Sequence, residues 1–426
     1  MSDKKVAFVT LGCKLNFSET STLAQAFVSR GYKVVRAGEK ADVYVINTCS
    51  VTETADKKGR NAIRKFHKAS PDAIIAVTGC YAQLKAEEIA AIEGVAVVAG
   101  ARDKGRLCDL VEEALQSSAS GGRIYNCPID DVENIFPACS SGERTRTFLK
   151  VQDGCDYRCS YCTVPLARGH SRNLPIADIV AQARRAASEG MKEIVITGVN
   201  TGDFGKTTGE SFLDLLKALN EVEGIERYRI SSIEPNLLTE DILRWIATGT
   251  KFLPHFHIPI QSGCDKTLKA MHRRYTSAMF EEKIALVRDI LETPEERYTK
   301  VFFGIDVIVG FPGESEEDFQ ATYSLLERVR PAFLHVFPYS RRAGTEAAAL
   351  PGQLTAAVKA DRVARLEALC ERLHNEFCEA NRGRMAEVLF ESKEKGGMMS
   401  GYTENYIRVE HPYDPALIGR IAEVRL

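Results

Sequence analysis

The sequence predicts an α/β protein with an N-terminal open parallel α/β domain, a central partial (β/α)6 barrel and a small C-terminal β-barrel. Short apolar runs alternate with amphipathic segments through most of the 426 residues, a rhythm typical of parallel sheets covered by helices. A small polar stretch at residues 117–122 interrupts this rhythm. After residue 385 the apolar period shortens to that of antiparallel strands. We therefore expect domains at residues 1–120, 142–375 and 382–426.

The composition excludes several classes of protein. The 56 basic and 58 acidic residues nearly cancel, so a nucleic-acid partner would have to be held by local basic patches. No apolar run reaches membrane-spanning length and the N-terminus has no secretory pattern, so we expect a cytoplasmic protein without membrane contact. Twelve cysteines in such a chain favour metal or redox ligation over a disulfide framework.

Five short apolar runs in the N-terminal part are predicted to be buried strands of a parallel sheet. They are residues 6–10, 32–35, 42–47, 73–78 and 95–98, separated by helices that begin near Phe17, Thr52, Lys85 and Lys104. Cys13, Cys49 and Cys80 follow the first, third and fourth runs. Because the carboxyl ends of parallel strands share one edge of a sheet, we expect these thiols to meet there. The alternative is buried cysteines that only pack. That second interpretation applies to Cys108, Cys127 and Cys139.

The helix after Cys49 carries a basic face. Arg60, Arg64 and Lys68 recur at four-residue spacing and therefore share one side of the helix. A phosphate backbone would suit that side. A solvated helix surface is the alternative interpretation.

A second set of cysteines lies in one tight loop after the predicted strand at residues 147–151. Cys155, Cys159 and Cys162 are separated by three residues and then by two. Thiolates this close together hold a soft metal or a cluster. A structural zinc ion would need a fourth ligand, and none lies nearby in sequence. A four-iron cluster on three cysteines keeps one iron open for a cofactor. Half of a zinc ribbon, or unrelated thiols, is the alternative.

The later strands of the central part end in polar or glycine-bearing turns, which predicts one shared pocket at the carboxyl ends of the barrel strands. These strands are expected at residues 193–197, 228–233, 255–260, 301–309 and 333–339. Glu234 could bind ribose hydroxyls, and the turn at Gly198 lets a ligand approach the backbone. We interpret His257 as a core histidine. The candidate cofactor-binding residues in these turns and in the basic cluster after Cys162 are Arg168, Thr197, Gly198, Ser232, Glu234, Gln261 and Ser262.

Both cysteine sets, read together, resemble the methylthiotransferase family of radical-SAM enzymes over nearly the whole chain. The matching segments are residues 10–13, 47–49, 78–80, 154–162, 259–263 and 337–340. The resemblance implies an N-terminal methylthiotransferase domain, a radical-SAM barrel and a C-terminal TRAM barrel. It further implies a [4Fe-4S] cluster on each cysteine set, S-adenosylmethionine at the open iron of the Cys155 set beside the backbone of Tyr161, and an external electron donor. No side chain is predicted to be catalytic, since the cofactors carry the chemistry.

Residues 12–16, 162–172 and 335–340 are most similar to one branch of that family. This branch inserts a methylthio group at C2 of N6-threonylcarbamoyladenosine, at tRNA position 37 beside the anticodon, which implies two S-adenosylmethionine molecules and the anticodon stem-loop as partner. We expect a monomer. The substrate carboxylate predicts a pocket arginine, with Arg341 and Arg342 as candidates, while Arg60, Arg64 and Lys68 would contact phosphates.

Three alternatives remain open at this point. The sister branches of the family act on isopentenyladenosine in tRNA or on an aspartate of a ribosomal protein. A more distant alternative is a non-enzymatic, metal-dependent RNA-binding protein.

Overall fold

The computed structural model describes residues 4–117, 121–140 and 145–426. Part of the join expected at residues 117–122, and the expected start of the central domain at residue 142, lie outside the described residues. The described chain forms two six-stranded parallel sheets, one four-stranded antiparallel sheet and a two-stranded ribbon. The predicted α/β class is confirmed.

The N-terminal sheet is parallel throughout and has the strand order β2-β1-β3-β4-β5-β6. Its elements are β1 (Lys5–Thr10), α1 (Lys14–Ser29), β2 (Lys33–Val35), β3 (Val43–Thr48), α2 (Glu53–Ala69), β4 (Ile74–Gly79), α3 (Cys80–Leu84), α4 (Ala86–Ala90), β5 (Val95–Ala99), α5 (Leu107–Gln116) and β6 (Arg123–Tyr125). The sequence predicted the first five strands and missed β6. This strand is three residues long and half-exposed, so it carries no apolar run.

The central sheet is also parallel, in the order β14-β13-β12-β11-β10-β7. It begins with β7 (Arg146–Lys150), β8 (Gln152–Asp153), α6 (Val164–Arg168), β9 (Arg172–Asn173), α7 (Ile176–Ser188), β10 (Glu193–Thr197), α8 (Phe212–Asn220) and β11 (Arg227–Ile230). It continues with α9 (Glu240–Ile246), β12 (Phe252–His257), α10 (Asp265–Ala270), α11 (Ser277–Leu291), β13 (Phe302–Val309), α12 (Glu316–Val329), β14 (Phe333–Pro338) and α13 (Ala356–Ala380). The ribbon pairs β8 with β9. The six predicted βα units are therefore present.

Successive residues of the barrel strands point to opposite sides of the sheet. One set, exemplified by Ile194, packs with the helices in the large apolar core. The other set is charged on several strands. The Arg229 Nε atom lies 2.9 Å from Glu193 Oε1, and His257 Nε2 lies 2.7 Å from Asp306 Oδ1. The lumen of the partial barrel is therefore polar.

Helix α1 joins the N-terminal domain to the first barrel strand. The Phe17 ring packs edge-on against Phe148 of β7, with centroids 5.7 Å apart. Two residues later, Glu19 lies 2.8 Å from the Lys150 ammonium. These contacts place the start of α1, and the cysteine before it, beside the barrel.

The C-terminal segment is an antiparallel sheet in the order β17-β16-β15-β18. Its strands are β15 (Met385–Phe390), β16 (Met398–Tyr402), β17 (Arg408–Pro412) and β18 (Ile421–Arg425). From the sequence, strands are predicted here at residues 386–390, 406–409 and 421–424. Strand β16 was missed, since its glycine and serine obscure the alternation. Arginines at the amino ends of barrel strands hold the sheet: Arg227 donates to the Glu387 carbonyl at 2.8 Å, and Arg146 to Tyr406 Oη at 3.1 Å. This sheet therefore caps the end of the barrel opposite the cysteine loop.

Helix α13 packs against β14, where His374 Nδ1 lies 3.0 Å from the Ala332 carbonyl oxygen. The helix continues to Ala380, through the domain end expected at residue 375. Among the described residues, none of the helices combines the length and the apolar character needed to cross a membrane.

Candidate functional site

A cavity of about 320 Å³ opens at the carboxyl ends of the barrel strands. It is lined by residues from every barrel strand end and from the loop after Cys49. Of the predicted cofactor-binding residues, its wall contains Tyr161, Ser232, Glu234 and Gln261. The backbone of Gln261 is left-handed, with φ of 70°. Such strain is typical of functional sites.

All three thiols of the cysteine loop face this cavity. Burial raises the pKa of Cys155 and Cys162 to about 12, so a bound cation is needed to hold them as thiolates. The loop is fixed by Gly154, where an added Cβ would lie 1.9 Å from the His170 carbonyl oxygen. Only glycine fits this position, which also has φ of 71°.

An arginine from the segment between α10 and α11 anchors the same loop. Arg273 Nη1 donates to Cys159 Sγ at 3.0 Å, its Nε donates to Tyr275 Oη at 3.0 Å, and its Nη2 pairs with Glu234. Burial raises the pKa of Glu234, and Arg273 opposes that shift. Arg273 thereby connects a cluster thiol to the predicted ribose-binding carboxylate.

The N-terminal thiols meet at the edge of the first sheet. Cys13 directly precedes α1, Cys49 follows β3 and Cys80 begins α3. Gly12 packs on this group, since an added Cβ would lie 2.8 Å from Cys49 Sγ. Burial, with Cys80 and Cys13 nearby, raises the pKa of Cys49 to about 12. The topology therefore brings together three thiols that are far apart in sequence.

The spacing of the sulfur atoms bears on which metal the two sets fit. Among the described residues, neither set has three sulfur atoms within 4.8 Å of one another. A Zn–S bond is about 2.3 Å, so two sulfurs on one zinc ion cannot lie more than about 4.6 Å apart. In this arrangement neither triad is pre-formed for a single ion. Three cysteines are the usual ligands of a four-iron cluster with one open iron, and both triads offer that ligand set.

Direct contacts hold the two cysteine sets close to each other. Thr163, next to Cys162, donates its hydroxyl to the Ser50 carbonyl, next to Cys49, at 3.3 Å. Thr52, in the same loop as Ser50, lines the cavity. The loop after Cys49 therefore reaches the cavity of the Cys155 set, whereas Cys13, Cys49 and Cys80 are not among the residues that line it.

Arg168 lies away from the cavity wall, contrary to its expected role at the cofactor. It is buried beside the N-terminal thiols, where its Nη1 contacts Glu19 at 3.1 Å and Asp153 at 2.9 Å. Its Nη2 donates to Asn16 Oδ1 at 2.6 Å. Two carboxylates saturate this guanidinium, so it serves the contact between the domains.

Three other predicted cofactor residues are also turned away from the cavity. The Thr197 hydroxyl donates to the Val195 carbonyl at 3.0 Å. Ser262 is fully buried, with its hydroxyl 3.2 Å from Thr322 Oγ1. Gly198 makes room for Gln152, whose Oε1 would lie 2.9 Å from an added Cβ. These residues shape the strand ends.

Neither predicted substrate arginine is among the residues that line the cavity. Arg342 Nη2 lies 2.5 Å from Asp56 Oδ2, and Arg341 is exposed and donates to the Ala348 carbonyl at 2.8 Å. On α2, Arg60 donates to Tyr81 Oη at 2.8 Å. The other two predicted phosphate contacts, Arg64 and Lys68, are exposed.

Sequence reasoning did not single out several polar residues of this region. Asn200 lines the cavity, and its buried Nδ2 has no hydrogen-bond partner among the described residues. Asp306 lines it too. Charged residues at alternate positions of otherwise apolar strands were the signal that could have found Asp306, because only a lumen accommodates them.

Comparisons with known proteins agree with this architecture. A model of the radical SAM superfamily matches residues 149–326, and one described as uncharacterized protein family UPF0004 matches residues 5–100. The solved structure of the radical S-adenosylmethionine methyltransferase TsrM from Kitasatospora setae has a TM-score of 0.57 and 14% identity, covering 81% of this chain and 77% of that one. Fold and site thus define a radical-SAM protein.

More similar relatives identify the family. The threonylcarbamoyladenosine tRNA methylthiotransferase MtaB of Bacillus subtilis (strain 168) is 40% identical over 99% of this chain and 93% of its own length. A tRNA-2-methylthio-N(6)-dimethylallyladenosine synthase of Thermoanaerobacter pseudethanolicus is 35% identical over 98% of this chain and 89% of its own. The chain belongs to the radical-SAM methylthiotransferase family and is an enzyme of that class.

Proposed function

We propose that the protein is a tRNA methylthiotransferase that inserts a methylthio group at C2 of N6-threonylcarbamoyladenosine at position 37. It would use two S-adenosylmethionine molecules, two [4Fe-4S] clusters and an external electron donor. The observation that carries the substrate is the 40% identity to the Bacillus subtilis enzyme of that name, against 35% for the dimethylallyladenosine enzyme. The proposed domains are residues 1–120, 142–375 and 382–426.

Two groups of three cysteines are present, and this supports one cluster on each of them. When bound, the cluster on Cys155, Cys159 and Cys162 would supply the electron that cleaves S-adenosylmethionine, and the other would supply the sulfur. Around the cavity, the free Asn200 amide and the Glu234 carboxylate offer a donor and an acceptor to the cofactor.

Charge beside the N-terminal triad supports an anionic occupant there. The buried network contains the cations Lys104, Lys150 and Arg168 against the carboxylates Glu19 and Asp153. Three positive charges against two negative leave one excess positive charge, and Arg168 acts electrostatically on Cys80 and Cys13. Thiolate ligands are anions, so this excess charge would stabilise them.

The chain's own residues would position the reactants. Arg273 holds Cys159 and Glu234 in one network, which fixes the cofactor pocket relative to the cysteine loop. Tyr161 on the cavity wall would contribute its backbone beside the cofactor adenine. The Ser50–Thr163 contact would hold the loop after Cys49 against the loop after Cys162 and so keep the two triads near each other. This arrangement suits transfer of a group to an unactivated C–H bond.

The outer surface offers a path for the RNA. Helix α2 starts beside Thr52 at the cavity and carries Arg64 and Lys68 on an exposed face. Phosphate contacts along α2 would lead the anticodon loop to the pocket mouth.

The test is methylthiolation by the anaerobically reconstituted enzyme of synthetic anticodon stem-loops that differ only at base 37. We expect the 2-methylthio product by mass spectrometry from the threonylcarbamoyl stem-loop, and little from stem-loops with isopentenyladenosine or adenosine. Equal reaction of unmodified adenosine would contradict the proposed substrate. Product only on a ribosomal-protein peptide would favour the sister branch.

A further inference from the structure

A carboxylate on the substrate favours a cationic partner, and three buried or half-buried arginines near the cavity are already paired with carboxylates. Arg168 is held by Glu19 and Asp153. Arg342 is held by Asp56. Arg273 is held by Glu234. An incoming carboxylate would have to displace a partner from each of these residues.

Lys14 differs from these arginines. It forms no hydrogen bond and no ion pair with any residue in the described parts of the chain. Its side chain is exposed, although neighbouring protein partly desolvates it. The ammonium is therefore accessible to a ligand and is not committed to an ion pair among the described residues, which favours binding of an anion.

Electrostatic interactions place Lys14 near the polar residues of the barrel lumen. Lys14 acts electrostatically on Asp306, on His335 and on Tyr406. Asp306 also lines the cofactor cavity. The lumen chamber is defined by Lys14, His257, Asp306 and His335, and Asp306 is the residue that it shares with the cavity.

Within the lumen chamber the two histidines are not equivalent. His257 is saturated, with Nδ1 3.1 Å from Ser232 Oγ and Nε2 2.7 Å from Asp306 Oδ1. His335 is exposed, its ring contacts are to His257 and Phe333, and its side chain forms no hydrogen bond within the described parts of the chain. Its ring nitrogens are therefore available to a ligand.

We propose that Lys14 and His335 form the subsite for the carboxylate that the substrate base carries on its N6 substituent. This inference rests on the proposed function and deepens it, by naming the residues that distinguish an anionic substituent from an isopentenyl group. Lys14 would bind the carboxylate, His335 would donate a second hydrogen bond, and Asp306 would accept from the hydroxyl or amide of the substituent.

The same cluster has the composition of a metal site. One ligand atom from each of His257, Asp306 and His335 lies within 4.8 Å of the others, and two histidines with a carboxylate bind iron or zinc elsewhere. The positive charge of Lys14 opposes a divalent cation at this place. His257 and Asp306 also satisfy each other directly. The geometry therefore favours an anionic ligand.

The test measures binding of fluorescent anticodon stem-loops by anisotropy, under anaerobic conditions with reconstituted protein. One stem-loop carries the threonylcarbamoyl base and the other its neutral carboxamide, which has the same shape. We expect the wild type to prefer the carboxylate by roughly 10- to 100-fold. Lys14→Met should remove this preference and Lys14→Arg should keep part of it. The matched control Lys40→Met, at an exposed lysine of the same domain, should behave as wild type.

A second variant is needed because Lys14 is next to Cys13, so that Lys14→Met could act by disturbing the N-terminal triad. His335→Phe lies on β14, away from both triads, and should reduce the preference without changing the iron content. Full preference in both Lys14→Met and His335→Phe would overturn the subsite while leaving the proposed substrate intact. A wild type that does not distinguish threonylcarbamoyladenosine from adenosine would instead contradict the proposed function. One Zn²⁺ per chain bound in addition to the clusters, and lost in His335→Phe, would overturn the subsite in favour of a metal site.

Discussion

Arg168 joins two domains through a buried network of charges. Its partners are Glu19 from α1 and Asp153 from the strand before the cysteine loop. Burial by itself would raise the pKa of Glu19, but Arg168, Lys104 and Lys150 outweigh burial and hold that pKa well below its ordinary value. Removing one member of such a network leaves an uncompensated charge in the interior.

Arg168→Met should therefore destabilise the protein by about 3–5 kcal/mol, because two buried carboxylates lose a shared partner. We expect a Tm lowered by roughly 5 °C or more in thermal denaturation. Asp153→Asn in the Arg168→Met background should restore part of the loss. Arg341→Met, at an exposed arginine, is the matched control. An unchanged Tm with weakened S-adenosylmethionine binding would instead support the role at the cofactor that the sequence suggested.

Helix α2 combines a contact to the barrel with a free basic face. At its first turn, the Glu53 amide donates to Ser340 Oγ at 3.3 Å and Asp56 pairs with Arg342. Further along, Arg64 and Lys68 are exposed, whereas Arg60 is tied to Tyr81 and Glu88. Of the three basic residues predicted to share one face of α2, Arg60 therefore stabilises the fold, whereas Arg64 and Lys68 are exposed to solvent.

Arg64→Gln with Lys68→Gln should weaken tRNA binding and reduce the slope of log K against log salt by about 1 to 2, since each lost phosphate contact contributes about 0.9. Arg60→Gln should lower the Tm instead and leave the slope unchanged. Binding titrations from low to high salt measure both. Arg184→Gln with Lys217→Gln, at exposed cations of α7 and α8, serves as control. An equal slope change in that control would contradict α2 as the RNA-contacting face.

The whole molecule is arranged around two thiol sets contributed by two separate sheets. Helix α1 docks on β7 through Phe17 and Phe148, and the loop after Cys49 touches the loop after Cys162. The C-terminal sheet closes the opposite end of the barrel through Arg227 and Arg146. One end of the barrel is therefore left for the clusters, the cofactor and the substrate.

Iron content tests this arrangement directly. Reconstituted wild type should bind about eight irons per chain, as two four-iron clusters, and replacing either triad by alanine should leave about four. The variant in which alanine replaces Cys13, Cys49 and Cys80 should still cleave S-adenosylmethionine reductively but should form no methylthio product. The matched control replaces three cysteines outside the triads, Cys127, Cys264 and Cys378. Cleavage that survives loss of the Cys155 triad would contradict these roles.

Local patterns in the sequence were sufficient for the fold class and for the placement of both thiol sets. Apolar runs predict strands because a buried strand has no polar face, and cysteines at the carboxyl ends of parallel strands meet by topology. The sequence also predicted that Ser232, Glu234 and Gln261 follow strand ends, and these residues line the cavity. Short elements such as β6 and β16 lack a periodic signal and were missed.

Tertiary structure alone decided which cations are free. Arg168, Arg342 and Lys14 carry the same formal charge in the sequence, but the first two form ion pairs with carboxylates from another domain, whereas Lys14 forms no ion pair among the described residues. The ion pair between Arg342 and Asp56 joins residues 286 positions apart. No local sequence pattern contains that information. Periodicity therefore determined the sheets and the thiol sites, and long-range packing determined which charged groups remain available to a substrate.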